Sequence, residues 1–324
     1  MAINVHAHLS KDVSVDERVE HYRHPEITHT VLFGDWDMVS EAMSKYPDFI
    51  VGFGQIRYPT PPTADTIRQF VDRGFRGVKI IGIRRPYDDP ELFGMYEAIV
   101  EHGLPVVFHT GFLSISSGIG ADGAFESMLF MRPGRLDTLA RAFPEMVMIG
   151  AHLGAPWCQE ACSVMWKHQN VYFDMSGGTV KLMSLAQLRQ LFSQGAGSGF
   201  LRDEGDQLNG PMIGKLVFGT DNPAPPSMLE WYHNFCDKLG VDEQTTHRIM
   251  TGNAATILGL TDAVDASAAN ILNAINIGVN PILGSNADTL FLGLTDHHLT
   301  LTGDEAAAVT FIGADDAGAA DTVF

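Results

Sequence analysis

Short apolar runs that alternate with amphipathic segments are the feature that most constrains the fold of this chain. The runs are rich in Val, Ile and Phe and are continuous, as in parallel strands covered on both faces. They predict strands near residues 3–8, 28–33, 49–55, 75–81, 104–109, 146–152, 170–174 and 215–220. The segments between them predict helices at 36–46, 63–73, 90–102, 134–143, 157–167, 181–194 and 227–239, and a last helix near 242–258.

Eight strands and eight helices over about 250 residues predict an α/β fold, a (β/α)8 TIM barrel. A doubly wound open sheet is the alternative, but no Gly-x-Gly-x-x-Gly sequence follows the first strand.

Several of the apolar runs end in a residue type that binds metals. His6 and His8 close the first run, His109 the fifth, His152 the sixth and Asp221 the eighth. Because strand side chains alternate between two faces, we expect His6 and His8 to point the same way. Such residues at the C-terminal ends of several strands are typical of a barrel active site. A core histidine bonded to a backbone carbonyl is the alternative for His109, and a turn cap is the alternative for Asp221.

Charge and composition restrict the partners of this chain. Its 324 residues carry a formal net charge of −18, which argues against nucleic acid or an anionic membrane surface as a partner. Three cysteines provide no disulfide framework. We expect no signal peptide before the strand that starts at Ile3, no membrane span and a cytoplasmic location. We expect a small-molecule substrate, and the sequence leaves open whether the chain forms a homo-oligomer.

The composition changes after Leu260. The nine acidic residues beyond it, with no Lys or Arg among them, contribute −9 of the total charge of −18. We therefore divide the chain into a barrel domain, residues 1–261, and an acidic C-terminal extension of unknown role, residues 262–324. The extension is interpreted as a loosely packed or disordered appendage, with self-association as the alternative. Residues 299–304 and 309–312 have the pattern of a β-hairpin.

Five motifs carry a family resemblance: HAH (residues 6–8), PVVFHTG (105–111), GAHLG (150–154), FGTDNP (218–223) and NAATILGL (253–260). Through them the chain resembles the amidohydrolase superfamily, in the amidohydrolase-related branch that contains the aminocarboxymuconate semialdehyde decarboxylase type. The resemblance covers residues 3–260. It implies that His6, His8, His109 and Asp221 bind one divalent metal. Imidazole and carboxylate ligands suit zinc, and less specifically manganese or iron.

The resemblance also suggests roles for the remaining polar residues. His152 is expected to move protons, with Asp221 sharing that role, although a purely supporting position is the alternative for His152. Lys79, within an apolar strand, is expected to contact the substrate. The alternative is a carbamylated Lys79 that bridges two metals, with His109 and His152 holding the second. Arg57 and Arg132 are candidates for binding a substrate carboxylate.

Together these features predict a metal-dependent hydrolase. Its substrate would be a small amide, lactone or ester that carries a carboxylate and is attacked by a metal-activated water. The alternative is a metal-dependent, non-oxidative decarboxylase of an aromatic or muconate-type acid. Both reactions would use the same residues, so the sequence does not separate them.

Overall fold

A closed ring of short parallel strands forms the centre of residues 1–260. The structure, a computed structural model, describes residues 1–9, 12–113, 127–177, 180–193 and 207–260, and the backbone of three short strands beyond them. The ring contains β1 (Ala2–Leu9), β2 (Ile27–Gly34), β3 (Ile50–Gly52), β4 (Gly54–Ile56), β5 (Val78–Ile80), β6 (Val106–Phe108), β7 (Met148–Gly150), β8 (Val171–Asp174) and β9 (Leu216–Val217). The predicted (β/α)8 barrel is confirmed.

The strand order shows how the ring closes. One sheet of the ring has the order β1-β2-β3, and the other has the strands β4 to β9 side by side in the order of the sequence. β3 and β4 are two halves of one barrel strand, since Phe53 N–H bonds to Leu32 while Gly54 N–H bonds to Gly77. Hydrogen bonds from Val5 N–H to the Phe218 carbonyl (3.0 Å) and from Asp221 N–H to the His6 carbonyl (2.8 Å) join the last strand to the first.

Helices follow the strands around the ring. They are α1 (Val15–Tyr22), α2 (Trp36–Lys45), α3 (Ala64–Asp72), α4 (Phe93–Glu101), α5 (Arg135–Ala142), α6 (Cys158–Lys167), α7 (Leu185–Phe192), α8 (Gly210–Ile213), α9 (Pro225–Leu239), α10 (Glu243–His247) and α11 (Asn253–Leu258). A π-helical turn, Arg248–Gly252, joins the last two. Helix α1 was not predicted, although a capping box of Ser14 and Glu17 begins it and the buried residues Val15, Val19 and Tyr22 share one face.

A bulge in β1 turns two histidines toward the inside of the barrel. Ile3 and Val5 belong to the inner apolar cluster, whereas Ala7 and Leu9 belong to the cluster packed beneath the helices. Simple alternation would place all four on one face. Asn4 pairs with Thr30 and Ala7 with Leu32, so β1 contains one residue more than β2 over this stretch. The bulge reverses the alternation, and His6 therefore faces inward.

Residues 261–324 form a separate compact unit. Its described part is a three-stranded sheet of β10 (Ile282–Leu283), β11 (Thr289–Phe291) and β12 (Thr310–Phe311). β12 pairs with β11 in parallel, whereas the predicted hairpin would pair it with residues 299–304, which lie outside the described residues. In the part of the chain that the structure describes, no helix has the length and apolar character needed to cross a bilayer.

Candidate metal centre

Three predicted ligands meet where the barrel closes. Nε2 of His6 lies 3.2 Å from Nε2 of His8, and Oδ1 of Asp221 lies 3.2 Å from His8 and 3.8 Å from His6. These three atoms form a triangle with sides of 3.2, 3.2 and 3.8 Å. Tetrahedral ligands about 2.1 Å from a common ion are about 3.4 Å apart, so the triangle fits a divalent cation. The three residues form one of two described groups of side chains whose spacing suits a metal.

The pKa values of these three residues are all lower than those of the free side chains. Burial, assisted by the nearby charge of Lys79, lowers the pKa of His6 to about 3. Burial also lowers the pKa of His8. Burial opposes ionisation of Asp221, but the hydrogen bond to His8 and the proximity of His6 outweigh it and hold the pKa of that carboxyl below its usual range. The triangle therefore presents two neutral imidazoles and a carboxylate, which are the forms that bind metals.

Asp174, the last residue of β8, forms a hydrogen bond with His6 on the side of the ring away from the triangle. Its Oδ2 accepts a hydrogen bond of 2.7 Å from Nδ1 of His6, and both side chains are fully buried. Burial opposes ionisation of Asp174, but the proximity of His6 and the hydrogen bond from it outweigh burial and hold the pKa of Asp174 below its ordinary value. Asp174, His6 and His152 form the second group of side chains with metal-compatible spacing.

His152 lies beside the triangle in a strained backbone conformation. Its φ of +61° is in the left-handed region, which non-glycine residues rarely occupy. Nδ1 donates to the Ser176 carbonyl at 3.1 Å, so neutral His152 carries no proton on Nε2. Its ring centroid lies 5.0 Å from that of His6. Gly177, at φ +82°, leaves room for this ring because a Cβ there would lie 2.9 Å from Nδ1 of His152.

His109 is not part of the triangle. Its Nε2 donates to the carbonyl of Phe112 at 2.9 Å, and its ring centroid is 4.9 Å from that of His152. The structure thus brings together three of the four predicted ligands and places the fourth beside the predicted proton-transfer residue. Burial and the neighbouring His152 lower the pKa of His109 well below its usual value.

Lys79 is fully buried in β5 and reaches the triangle. Its Nζ lies 3.4 Å from Nε2 of His6 and 4.8 Å from the centre of the Phe33 ring. Burial lowers the pKa of Lys79 to about 8, while Asp174 and Asp221 oppose the shift. A buried cation at this position can face an anionic group of a substrate.

The two predicted arginines occupy different surroundings. Arg57 follows β4 at the mouth of the barrel and is half-buried. The guanidinium of Arg132 is paired with Glu160 at 2.7 Å and lies over the ring of Trp157. Glu160 therefore occupies two of the nitrogens with which Arg132 could bind a substrate carboxylate. The Gly- and Ser-rich sequence of residues 110–131 predicts a loop that forms part of a lid, and residues 114–126 of it lie outside the described residues.

Tyr22 holds two corners of the triangle together and was not predicted. Its buried hydroxyl accepts from the His8 N–H at 3.1 Å and donates to the Asp221 carbonyl at 2.8 Å. Tyr22 is the last residue of α1, a helix that was not among the predicted ones. The apolar spacing of Val15, Val19 and Tyr22 was the available signal.

Comparisons with known proteins place this site in context. An amidohydrolase family model matches residues 7–260, which include every residue of the site except His6. No curated protein matches the chain.

Three solved structures have the same fold at low sequence identity. A probable 2-pyrone-4,6-dicarboxylic acid hydrolase from Acinetobacter baumannii, with citric acid bound, has a TM-score of 0.53 and 16% identity over 80% of this chain and 99% of its own. The 5-carboxyvanillate decarboxylase of Sphingomonas paucimobilis has a TM-score of 0.55 and 15% identity over 80% and 99%. A dihydroxybenzoic acid decarboxylase from Polaromonas, with manganese and 2-nitroresorcinol bound, has a TM-score of 0.54 and 14% identity over 82% and 98%.

Proposed function

The chain belongs to the amidohydrolase family, and we propose that it is a metal-dependent hydrolase of a small organic acid derivative. The proposed substrate is an amide, lactone or ester that carries a carboxylate. The observation that carries this proposal is the triangle of His6, His8 and Asp221, with His152 beside it at the C-terminal ends of the strands. Active sites of (β/α)8 barrels lie at this face.

We propose that the triangle holds one divalent metal, with zinc first and manganese or iron as alternatives. His109 would be the fourth ligand. Its Nε2 would have to exchange the Phe112 carbonyl for the metal, so a His109→Ala variant tests its share in binding. The two-metal alternative requires a modified Lys79.

Some side chains of the site would accept protons, and others would bind the substrate. A divalent metal held by His6, His8 and Asp221 would supply Lewis-acid activation of a water and of a substrate carbonyl. Nε2 of His152, unprotonated because Nδ1 donates to Ser176, would accept a proton from the attacking water. Asp221, beside His8, is a second acceptor. Lys79 and Arg57 would hold the substrate carboxylate, with Arg132 as a further candidate.

Decarboxylation is the second candidate, because the buried ammonium of Lys79 lies 3.4 Å from His6 and gives a substrate carboxylate a partner inside the centre. Two of the three structures compared above are also decarboxylases. In this reaction an aromatic or muconate-type acid would lose CO₂ and take up a proton at the same carbon. His152 would deliver that proton from its imidazolium form, after taking up a proton from solvent on Nε2.

A substrate panel separates the two reactions. Lactones, cyclic amides and hydroxybenzoic acids are incubated with the metal-loaded protein, and acid release and CO₂ release are measured in parallel. Hydrolysis releases acid without CO₂. The His152→Asn variant should keep its metal and lose about 10²-fold or more in kcat on the substrate that reacts. CO₂ release alone would select the second candidate, and loss of metal in His152→Asn would refute the role of His152.

A further inference from the structure

Asp174 makes more hydrogen bonds than a buried packing residue needs. Oδ1 accepts from the backbone N–H of His152 (3.0 Å), from the backbone N–H of Ser176 (2.8 Å) and from the Ser176 hydroxyl (2.5 Å). Oδ2 accepts only from Nδ1 of His6, at 2.7 Å, among the described contacts. The two oxygens of Asp174 therefore have different partners: Oδ1 faces three N–H or O–H donors, and Oδ2 faces His6.

This arrangement determines which nitrogen of His6 carries the proton. A carboxylate is acceptor-only, so the 2.7 Å contact requires a hydrogen on Nδ1 of His6. Neutral imidazole has one N–H, which leaves Nε2 unprotonated. Nε2 is the atom that faces His8 and Asp221 across the triangle. The lone pair of Nε2, which a metal would need, thus points toward Nε2 of His8 and Oδ1 of Asp221.

We propose that Asp174 is the positioning residue of the metal centre: it fixes His6 in the Nδ1–H tautomer and anchors the backbone of His152 at the same time. The inference rests on the proposed metal-dependent function but concerns a residue outside the proposed ligand set. Asp174 joins β1 to the segments that follow β7 and β8, because its carboxylate bonds to His6, His152 and Ser176. Such outer partners commonly change metal affinity by about 10–100-fold.

Because the two oxygens of Asp174 have different partners, replacing one of them by an NH₂ group distinguishes a positioning role from simple packing. In Asp174→Asn, two backbone N–H donors require the amide oxygen at the Oδ1 position, because these donors cannot be reversed. The amide NH₂ then faces Nδ1 of His6 and donates to it. His6 must carry its proton on Nε2, which removes the lone pair from the triangle. In Asp174→Ala, His6 stays free to adopt either tautomer.

We therefore expect Asp174→Asn to bind metal more weakly than Asp174→Ala. Zinc affinity is measured by competition with a chromogenic chelator, with a loss of about 10–100-fold expected for Ala and a larger loss for Asn. The His6 tautomer is read from ¹⁵N shifts of metal-free, ¹⁵N-histidine-labelled protein, assigned with His6→Ala. The expected change is from Nδ1–H in the unmodified chain to Nε2–H in Asp174→Asn. Asp88→Asn, at a carboxylate paired with Arg135 away from this network, is the matched control and should change neither reading.

Several results would overturn the inference. If Asp174→Ala binds zinc more weakly than Asp174→Asn, Asp174 contributes packing alone. The same follows if His6 in Asp174→Asn keeps its proton on Nδ1. If the unmodified chain binds two equivalents of zinc and Asp174→Asn loses only one, Asp174 is a ligand. If Asp174→Ala does not fold, the tautomer in Asp174→Asn still decides. If the unmodified chain binds no zinc, the proposed function fails, whereas the tautomer measurement on metal-free protein tests the positioning role separately.

Discussion

Removing the hydroxyl of Tyr22 should weaken the metal centre through the backbone alone. Tyr22→Phe keeps the ring but deletes the oxygen that joins the His8 N–H to the Asp221 carbonyl. Both residues are proposed ligands, and neither side chain is altered by the substitution. Tyr96→Phe is a matched control, because the equally buried hydroxyl of Tyr96 donates to the Tyr87 carbonyl at 2.8 Å, outside the site.

The number of bonds lost gives the expected magnitude. A buried polar group that loses its partner costs about 1–3 kcal/mol. Tyr22→Phe removes the partner of the His8 N–H and the hydroxyl hydrogen that the carbonyls of Asp221 and His8 share. Counted as two hydrogen bonds, this should lower the free energy of unfolding by about 2–6 kcal/mol, whereas Tyr96→Phe removes one and should lower it by about 1–3 kcal/mol. Only Tyr22→Phe should also weaken zinc binding, by about 10-fold or more, because His8 and Asp221 lose their shared anchor.

Two measurements on each variant decide the matter. Urea unfolding of the metal-free proteins gives the free energy of unfolding, and chelator competition gives the zinc affinity of the folded proteins. Equal zinc affinity in Tyr22→Phe and Tyr96→Phe would refute the reasoning, even if their stabilities differ as expected.

Three further predictions concern Gly177, Lys215 and the C-terminal extension. Gly177→Ala should displace the ring of His152 and lower kcat at least about 10-fold without loss of metal, since a Cβ would lie 2.9 Å from Nδ1 of that residue. A normal kcat would show that the ring adapts. Burial lowers the pKa of Lys215 to about 7. Above that pH the unfolded chain retains a proton that the folded chain has released, so the stability of the unmodified chain should rise relative to Lys215→Met, by on the order of 2 kcal/mol between pH 7 and 9 in urea unfolding. A stability difference between the two proteins that does not change with pH would contradict this. Finally, a chain of residues 1–262 should fold and bind zinc like the full chain, because every residue of the centre lies in the first unit; an insoluble or metal-free product would make the extension structural.

The sequence predicts the barrel well because the evidence for it is local. Each buried parallel strand is a short apolar run, and the helices between strands carry their own periodicity. The ligand types at strand ends follow from the same pattern, since the C-terminal ends of parallel strands must converge. His8 and Asp221 could therefore be placed near each other although 213 positions separate them in the sequence.

The details that complete the site depend on contacts that local patterns do not contain. Alternation alone predicts that His6 and His8 face the same way, but their inward direction depends on a bulge between Asn4 and Ala7, which sequence alternation does not show. The bond between His6 and Asp174 joins strands 168 positions apart. The position of His109 depends on a carbonyl three residues later, in a turn whose conformation the apolar pattern does not determine.

Metal analysis of the purified chain tests most directly whether these strand ends form a metal centre. We expect about one equivalent of a divalent transition metal per chain, and a sharp fall in His8→Ala and Asp221→Ala. His233→Ala, at an exposed histidine paired with Glu26, should retain the full equivalent. Retention of metal in both ligand variants, or two equivalents together with a mass increase on Lys79, would contradict a single metal held by His6, His8 and Asp221.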